Sequence, residues 1–367
     1  MKPETEADLA EIVKGLDGPI RVSGGGTRGI SGDHPVLDTT GMTGITLYEP
    51  GALTMVAQAG TSVAEIEAAL TDQNQRLAFE PMDHRGLLAT DGDPTIGGVF
   101  AGNISGPRRI QAGAARDFLL GVRFVNGLGV AIKNGGRVMK NVTGYDLVKL
   151  MAGSWGTLGV LSEVSFKVLP RAEMEATVNI GDLDLKAAVS VMSAALGSPY
   201  DVTGAAYDPD SRTAQIRVEG FADSVRYRAG RLIDELEQFG ACRIDEGTEG
   251  VWSAIRDVAV FQDAPGDVWR ISVKPTDALQ VETLIGAEAR LQFDWGGGLV
   301  WALVESGTDV RANLSDLSGH YTLVRAAPEA IDRFGRFSKP AEPLRKLEEG
   351  LRRQFDPRGF LNPGLMG

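Results

Sequence analysis

Leu9, Ile12, Val13 and Leu16 fall on one face at helical spacing, and with Thr5 as N-cap they predict a first helix. Gly18-Pro19 ends it, and Ile20 to Val22 begins a short strand that runs into SGGGTRGISG. Leu53 to Gln58 reads as a second strand. A helix follows, opened by a capping box of Ser62 with Glu65 and turning Val63, Ile66 and Leu70 inward. From Pro94 to Pro170 glycine recurs among short apolar runs such as FLLGVRFV and VLSEVSFKVL. That pattern predicts strands joined by tight loops, plus one short helix near Asp146 to Met151. The character changes after Leu169-Pro170-Arg171. Longer helices, Leu185 to Leu196 and Val225 to Phe239, alternate with strands such as QIRVEGF and WRISVK, predicting an α+β arrangement with helices on one face of a sheet. LVWALV reads as a buried strand. Leu344, Leu347, Leu351 and Phe355 make a last amphipathic helix that stops at Asp356-Pro357.

The 367 residues, 43% hydrophobic and 23% charged, suit a globular chain of about two domains. Glycine is unusually frequent, 47 residues in clusters, which marks backbone that turns sharply or approaches a ligand closely. Asp plus Glu outnumber Lys plus Arg by 49 to 37, a net charge of -12 that argues against binding a nucleic-acid backbone. No apolar run approaches membrane-spanning length, and MKPETEADLA has no apolar signal core, so a cytoplasmic protein is expected. The one cysteine, Cys242, allows no internal disulfide and cannot by itself hold an iron–sulfur cluster. His34, His84 and His320 are too scattered to suggest a zinc site. Any redox chemistry here needs an organic cofactor.

Gly24, Gly26 and Gly29 satisfy G-x-G-x-x-G after a strand, with Glu49 at the distance of a ribose-binding acid. That motif must also open a helix, and Gly32, Asp33 and Pro35 forbid a long one. The Rossmann reading fails on this context. SGGGT still suits a phosphate, because consecutive amides of a glycine turn can point inward as an anion nest. PTIGGVFAGNISG offers the same chemistry again. One such loop alone reads as a tight turn; two, together with the motifs that follow, favour a bound dinucleotide.

SGGGTRGISG resembles the pyrophosphate loop of the FAD-linked oxidases that share the vanillyl-alcohol-oxidase, or PCMH-type, flavin fold. TIGGVFAGNISG is similar to that family's second flavin loop. KNVTGYDLVKLMAGSWGTLGVLSEVSFKVLP resembles its signature KN-x-x-GYDL…GS-x-GTLG…E, and FDPRGFLNPG its closing motif. The likeness covers residues 20–170 and 340–367, in order. SGPRR, RDFLLG, GG-x-VMKNV-x-GYDL and GHYTLVRA narrow it to the E subunits of bacterial glycolate oxidases. The resemblance implies an α+β fold. A two-lobed PCMH-type FAD-binding domain would span residues 1–170 and a smaller α+β cap 171–340, with 341–367 returning to the flavin domain.

Carried over residue by residue, the resemblance implies that Ser23, Gly24, Gly25, Gly26 and Thr27 cradle the pyrophosphate of FAD. Thr95, Ile96, Gly97 and Gly98 would line the flavin, with Gly102 and Ser105 close by. Gly159, Val160 and Glu163 would lie near the nucleotide end, and Asn362 near the isoalloxazine. Glu163 and Asp117 read best as caps of backbone turns. No His or Cys lies within the glycine loop to attach the flavin, and His34 stands just outside it, so noncovalent FAD is expected. A reduced flavin gains negative charge toward N1 and C2=O, and Arg108, Arg109 and Lys140 are candidate cations to stabilise it.

Hydroxy-acid-oxidising relatives carry a metal-binding H-x-GDGNLH segment and a second segment like SGEHGIG. Here DWGGGLVW puts Asp294 and Trp301 where the histidines should stand, and Ser318-Gly319-His320 lacks the glutamate. No metal site is expected, and the catalytic residues stay unassigned, with Arg108, Arg109 and His320 as candidates. The resemblance therefore implies a flavoprotein subunit that relays electrons within a glycolate oxidase. Its partners would be a D-type FAD-containing catalytic subunit and an F-type iron–sulfur subunit, and it would reach the inner face of the membrane only through that complex. The cap helices and exposed tryptophans would supply the contact surfaces. A stand-alone FAD dehydrogenase and a scaffold that has lost its flavin are the alternatives.

Overall fold

The structure, a computed structural model, describes residues 1–30, 32–137 and 144–366. The chain divides into two compact units. One comprises Met1–Ser105, Gly113–Arg171 and Lys339–Gly367, and the other Gly106–Ala112 and Ala172–Ser338.

The first unit is built on a five-stranded antiparallel sheet. Its order is Ile45–Glu49, Thr54–Gln58, Val160–Lys167, Leu119–Val125, Ala131–Gly135. The helix Glu6–Lys14 starts where Thr5 and Asp8 cap each other's backbone amides. It buries Leu9 and Val13 against Ile20, Leu37, Val125 and Leu361. The helix Val63–Thr71 keeps half of its expected capping box: the Ser62 hydroxyl accepts the Glu65 amide at 3.1 Å. A separate strand pair, Arg21–Ser23 with Val36–Asp38, is parallel, and only a single 3₁₀ turn, Thr39–Gly41, follows it.

One expectation is corrected here. The glycine-rich IGGVFA is not a tight loop but a helix, Ile96–Ala101, capped by Thr95. Burial of Ile96, Val99 and Phe100 outweighs the helix cost of two glycines, and Phe100 packs on Phe79 and Phe166. Gly97 is required, because a Cβ there would stand 2.6 Å from the Ala59 Cβ.

The second unit carries an eight-stranded antiparallel sheet. Its order is Cys242–Glu246, Met174–Ile180, Thr213–Gly220, Val202–Asp208, Arg290–Asp294, Leu299–Val304, Asp267–Ser272, His320–Arg325. Alternation sorts each strand. Ala176, Val178, Ile216 and Val218 join the large core covered by the helices Leu185–Gly197 and Ala222–Leu236. Glu175, Thr177, Arg217 and Glu219, at the intervening positions, form a buried polar layer with Trp252 of the helix Glu249–Arg256. LVWALV is buried throughout.

The closing helix, Glu342–Phe355, forms as its periodicity predicts. Its leucines are exposed, however: Leu344 by 56% and Leu347 by 65%. Among the described residues no helix is long and apolar enough to cross a membrane.

Candidate functional site

The strand Arg21–Ser23 opens into the glycine turn, and the closing segment lies alongside it. Ile20 bridges Leu361 in parallel, and the Asn362 amide donates to the Ile20 carbonyl at 3.0 Å. Asn362 also clamps two other segments. Its Oδ1 accepts the Val22 amide at 2.7 Å, and its Nδ2 donates to the Trp155 carbonyl at 2.8 Å. These contacts define a cavity with about 730 Å³ of empty space, part of it open to solvent. Ser23, Gly24, Gly25, Gly26, Thr27 and Arg28 line it, with Gly97, Gly98 and Gly102 from the capped helix. Trp155, Gly156, Gly159, Val160, Leu161 and Asn362 complete the wall.

Sequence-expected residues thus gather here from four distant stretches. Others act one layer back. Buried Thr95 accepts the Gly98 amide at 3.2 Å, so it and Ile96 position Gly97 and Gly98 instead of lining the space. The Ser105 hydroxyl accepts the Ala115 amide at 2.9 Å and holds the following turn. Asp117 caps the same turn through the Ala114 amide. Glu163 is elsewhere: its carboxylate accepts from Thr46 at 3.2 Å, and it lines a separate hollow on the sheet with Arg123 and Lys133. Lys140 lies outside the described residues.

The glycines of the turn are needed for reasons the sequence does not reveal. A Cβ on Gly25 would overlap the Asp93 carbonyl, and one on Gly92 would overlap the Gly25 carbonyl, so the two loops interlock backbone to backbone. Gly26, at φ +70°, has nothing within 4 Å of a Cβ position and is glycine for its left-handed backbone. The result is a cradle of main chain with open space before it, and it fits an anionic dinucleotide. Arg28 directly follows SGGGT, where nothing in the residue pattern sets it apart from a surface charge. Burial pushes its guanidinium down to about 10, with the Asp83 charge acting in the opposite direction.

Three other candidates belong to the second unit. Arg108 is buried and meets Glu219 through Nε at 2.7 Å and Nη2 at 2.8 Å. Arg109 stacks on Trp295 at 4.7 Å, and Arg270 approaches the same ring at 5.1 Å. Burial, reinforced by the Arg109 charge, pushes Arg270 down to about 10. His320 is exposed at the start of its strand. Asp294 caps its own chain, accepting the Trp295 amide at 2.6 Å, while Trp301 is buried in its strand. Cys242 is half-buried, and burial with the nearby Glu237 charge pushes its thiol up, which disfavours the nucleophilic thiolate. Trp252, Trp269, Trp295 and Trp301 are all buried, so the expectation of exposed tryptophans is corrected. Phe221 and Tyr227 are the aromatic residues this unit exposes.

Residues 1–135 match the family model described as an FAD binding domain. The glycolate oxidase subunit GlcE of Escherichia coli (strain K12) is 36% identical over 355 residues, covering 95% of this chain and 92% of that protein. The chain belongs to the GlcE family. The chain's likeness to the glycolate oxidase subunit GlcD of Bacillus subtilis (strain 168) is partial: 32% identity over 165 residues, 44% of this chain and 34% of that protein. Among solved structures, an alkyldihydroxyacetonephosphate synthase superposes over 99% of this chain and 76% of its own, with a TM-score of 0.68 and 17% identity. That neighbour supports the mixed α and β, PCMH-type architecture.

Proposed function

We propose that this GlcE-family chain binds FAD noncovalently in the glycine-lined cavity and serves as a subunit of a glycolate oxidase. In this reading it passes electrons on within the assembly and does not oxidise the hydroxy acid by itself. The observation that carries the reading is the main-chain cradle of Ser23 to Thr27, faced by Gly97 and Gly98 and closed by Asn362. Its open amides would hold the pyrophosphate, while Trp155, Gly156 and Asn362 would shape the space around the flavin. FAD supplies the electron-accepting chemistry. No His, Cys or Tyr stands among the described residues that line the cavity, which supports a dissociable cofactor.

The relay reading rests on what the second unit does with the positions that would carry hydroxy-acid chemistry. Oxidation needs a carboxylate anchor and a base for the hydroxyl proton, held together. Asp294 is spent on a backbone cap, Trp301 on packing, and Arg108 on Glu219. A D-type FAD-containing subunit would then supply the oxidising site and an F-type iron–sulfur subunit the onward path.

The test is purification of the chain alone and with co-expressed partners. The isolated chain should be yellow, release its flavin on denaturation, and reduce dyes with glycolate only when assembled. Flavin that stays with the denatured chain overturns noncovalent binding. Turnover by the isolated chain equal to that of the assembly, abolished by His320→Ala, establishes the stand-alone dehydrogenase instead. A folded, colourless chain that still assembles is the scaffold.

A further inference from the structure

Resting on the reading that this cavity holds FAD, we propose that Arg28 is the cation that meets the cofactor's diphosphate. It is the one Lys or Arg among the described residues that line the cavity. Its position is set from two sides. It follows Thr27 at the end of the glycine turn, and its Nη1 stands 2.7 Å from where a Gly98 Cβ would be. The guanidinium therefore lies where the two glycine segments meet.

Among the described residues no protein acceptor satisfies Arg28. Its Nε is buried without a hydrogen-bond acceptor, and among the described residues no carboxylate comes within ion-pair distance of it. Asp83 is the acid whose charge it feels, but that carboxylate is gripped by Arg85, through Nε at 3.0 Å and Nη2 at 2.8 Å. A half-buried cation with a buried, unmet donor is costly to keep, and a ligand with matching charge and acceptors removes the cost. The planar fork of a guanidinium suits two phosphate oxygens, which a backbone nest alone meets only with partial charges. The chain's net charge of -12 makes a local countercharge more valuable to an anionic ligand.

The experiment titrates flavin-free protein with FAD, ADP and adenosine by fluorescence, for the wild type, Arg28→Met and Arg28→Lys. Arg28→Met should weaken FAD and ADP by about ten- to a hundredfold, the loss of a charge-assisted hydrogen bond, and leave adenosine unchanged. Arg28→Lys should recover part of the loss. The salt dependence of FAD affinity should flatten in Arg28→Met. The flavin-free variant should melt no lower than the wild type, since a half-buried charge with an unmet buried donor has been removed. A merely structural arginine would instead lower the melting temperature and weaken all three ligands alike, overturning the proposal. So would FAD and ADP affinities within twofold of wild type, or a shifted midpoint potential with unchanged FAD affinity, which would place the cation at the flavin ring. If wild-type protein binds ADP but not FAD, the cofactor reading itself falls.

Discussion

Asn362 accepts the Val22 amide at 2.7 Å across 340 residues of sequence, and its other amide atom donates to Trp155. One side chain thus satisfies the first strand and the Trp155 turn together. Its own backbone is left-handed, at φ +45°, a region where Asn is better tolerated than most residues. Asn362→Ala strands a backbone donor and an acceptor, at about 1–3 kcal/mol for each that stays buried. The expected outcome is a melting temperature lower by several degrees and weaker flavin retention, read by thermal denaturation and by flavin content after dialysis.

Neighbouring glycines should respond differently to the same methyl group. Gly25→Ala forces the Gly25 and Asp93 backbones apart and should yield protein that expresses poorly or comes out colourless. Gly26→Ala meets open space and costs only the left-handed backbone penalty, about 1–2 kcal/mol. It should fold and stay yellow with a modestly lower melting temperature.

Arg108 and Glu219 form a buried bidentate pair, and Arg217 lies 3.8 Å from the same carboxylate, so removing Arg108 leaves Glu219 with a more distant cation in place of a bidentate one. Arg108→Leu should cost about 3–5 kcal/mol in chemical denaturation, and adding Glu219→Leu should recover only part of it, because buried Arg217 then loses that carboxylate. A loss of flavin with unchanged stability would instead reassign Arg108 to the cofactor.

Burial raises the Glu175 carboxyl to about 7, against the pull of Arg217 at 3.7 Å and the Thr248 hydroxyl at 2.9 Å; the Glu219 charge pushes it up and the Arg108 charge down. The folded chain then keeps this proton while the unfolded chain, with its carboxyl near 4.5, gives it up. Stability from this group is complete below about 4.5 and is lost as pH rises to about 7, beyond which it is flat. Glu175→Gln should remove that slope, and the difference between variant and wild-type stability measured from pH 4.5 to 8 checks it.

Local signals were readable where they were strong. Thr5 and the face it precedes gave the first helix, and Asp146 marks the start of the helix Leu147–Met151. The helix Ile96–Ala101 was illegible because two glycines argue against it, and its stabilisation comes from distant aromatic rings. At the candidate site the glycine turns were legible, but the interlock of Gly25 with Gly92 and Asp93 depends on two loops meeting. Arg28 was hidden because charge in a sequence says nothing about what a side chain lacks around it. In QIRVEGF the alternation of Ile216 and Val218 with Arg217 and Glu219 was visible, yet only the helix bearing Trp252 reveals that both faces are buried. Leu344 and Leu347 show the converse: periodicity established a helix and left open whether anything covers it.

The division of the chain also bears on its synthesis. The second unit includes Gly106–Ala112, made well before the rest of that unit, and Arg108 from this piece waits for Glu219. The first unit waits longer, since Leu361 and Asn362 must arrive before its first strand is flanked and the cavity wall is complete. Neither unit can finish folding in the order in which its residues leave the ribosome. Cofactor loading is therefore a late step of biogenesis, and a gene cut near residue 171 would leave Glu219 without Arg108 in one product and Val22 without Asn362 in the other.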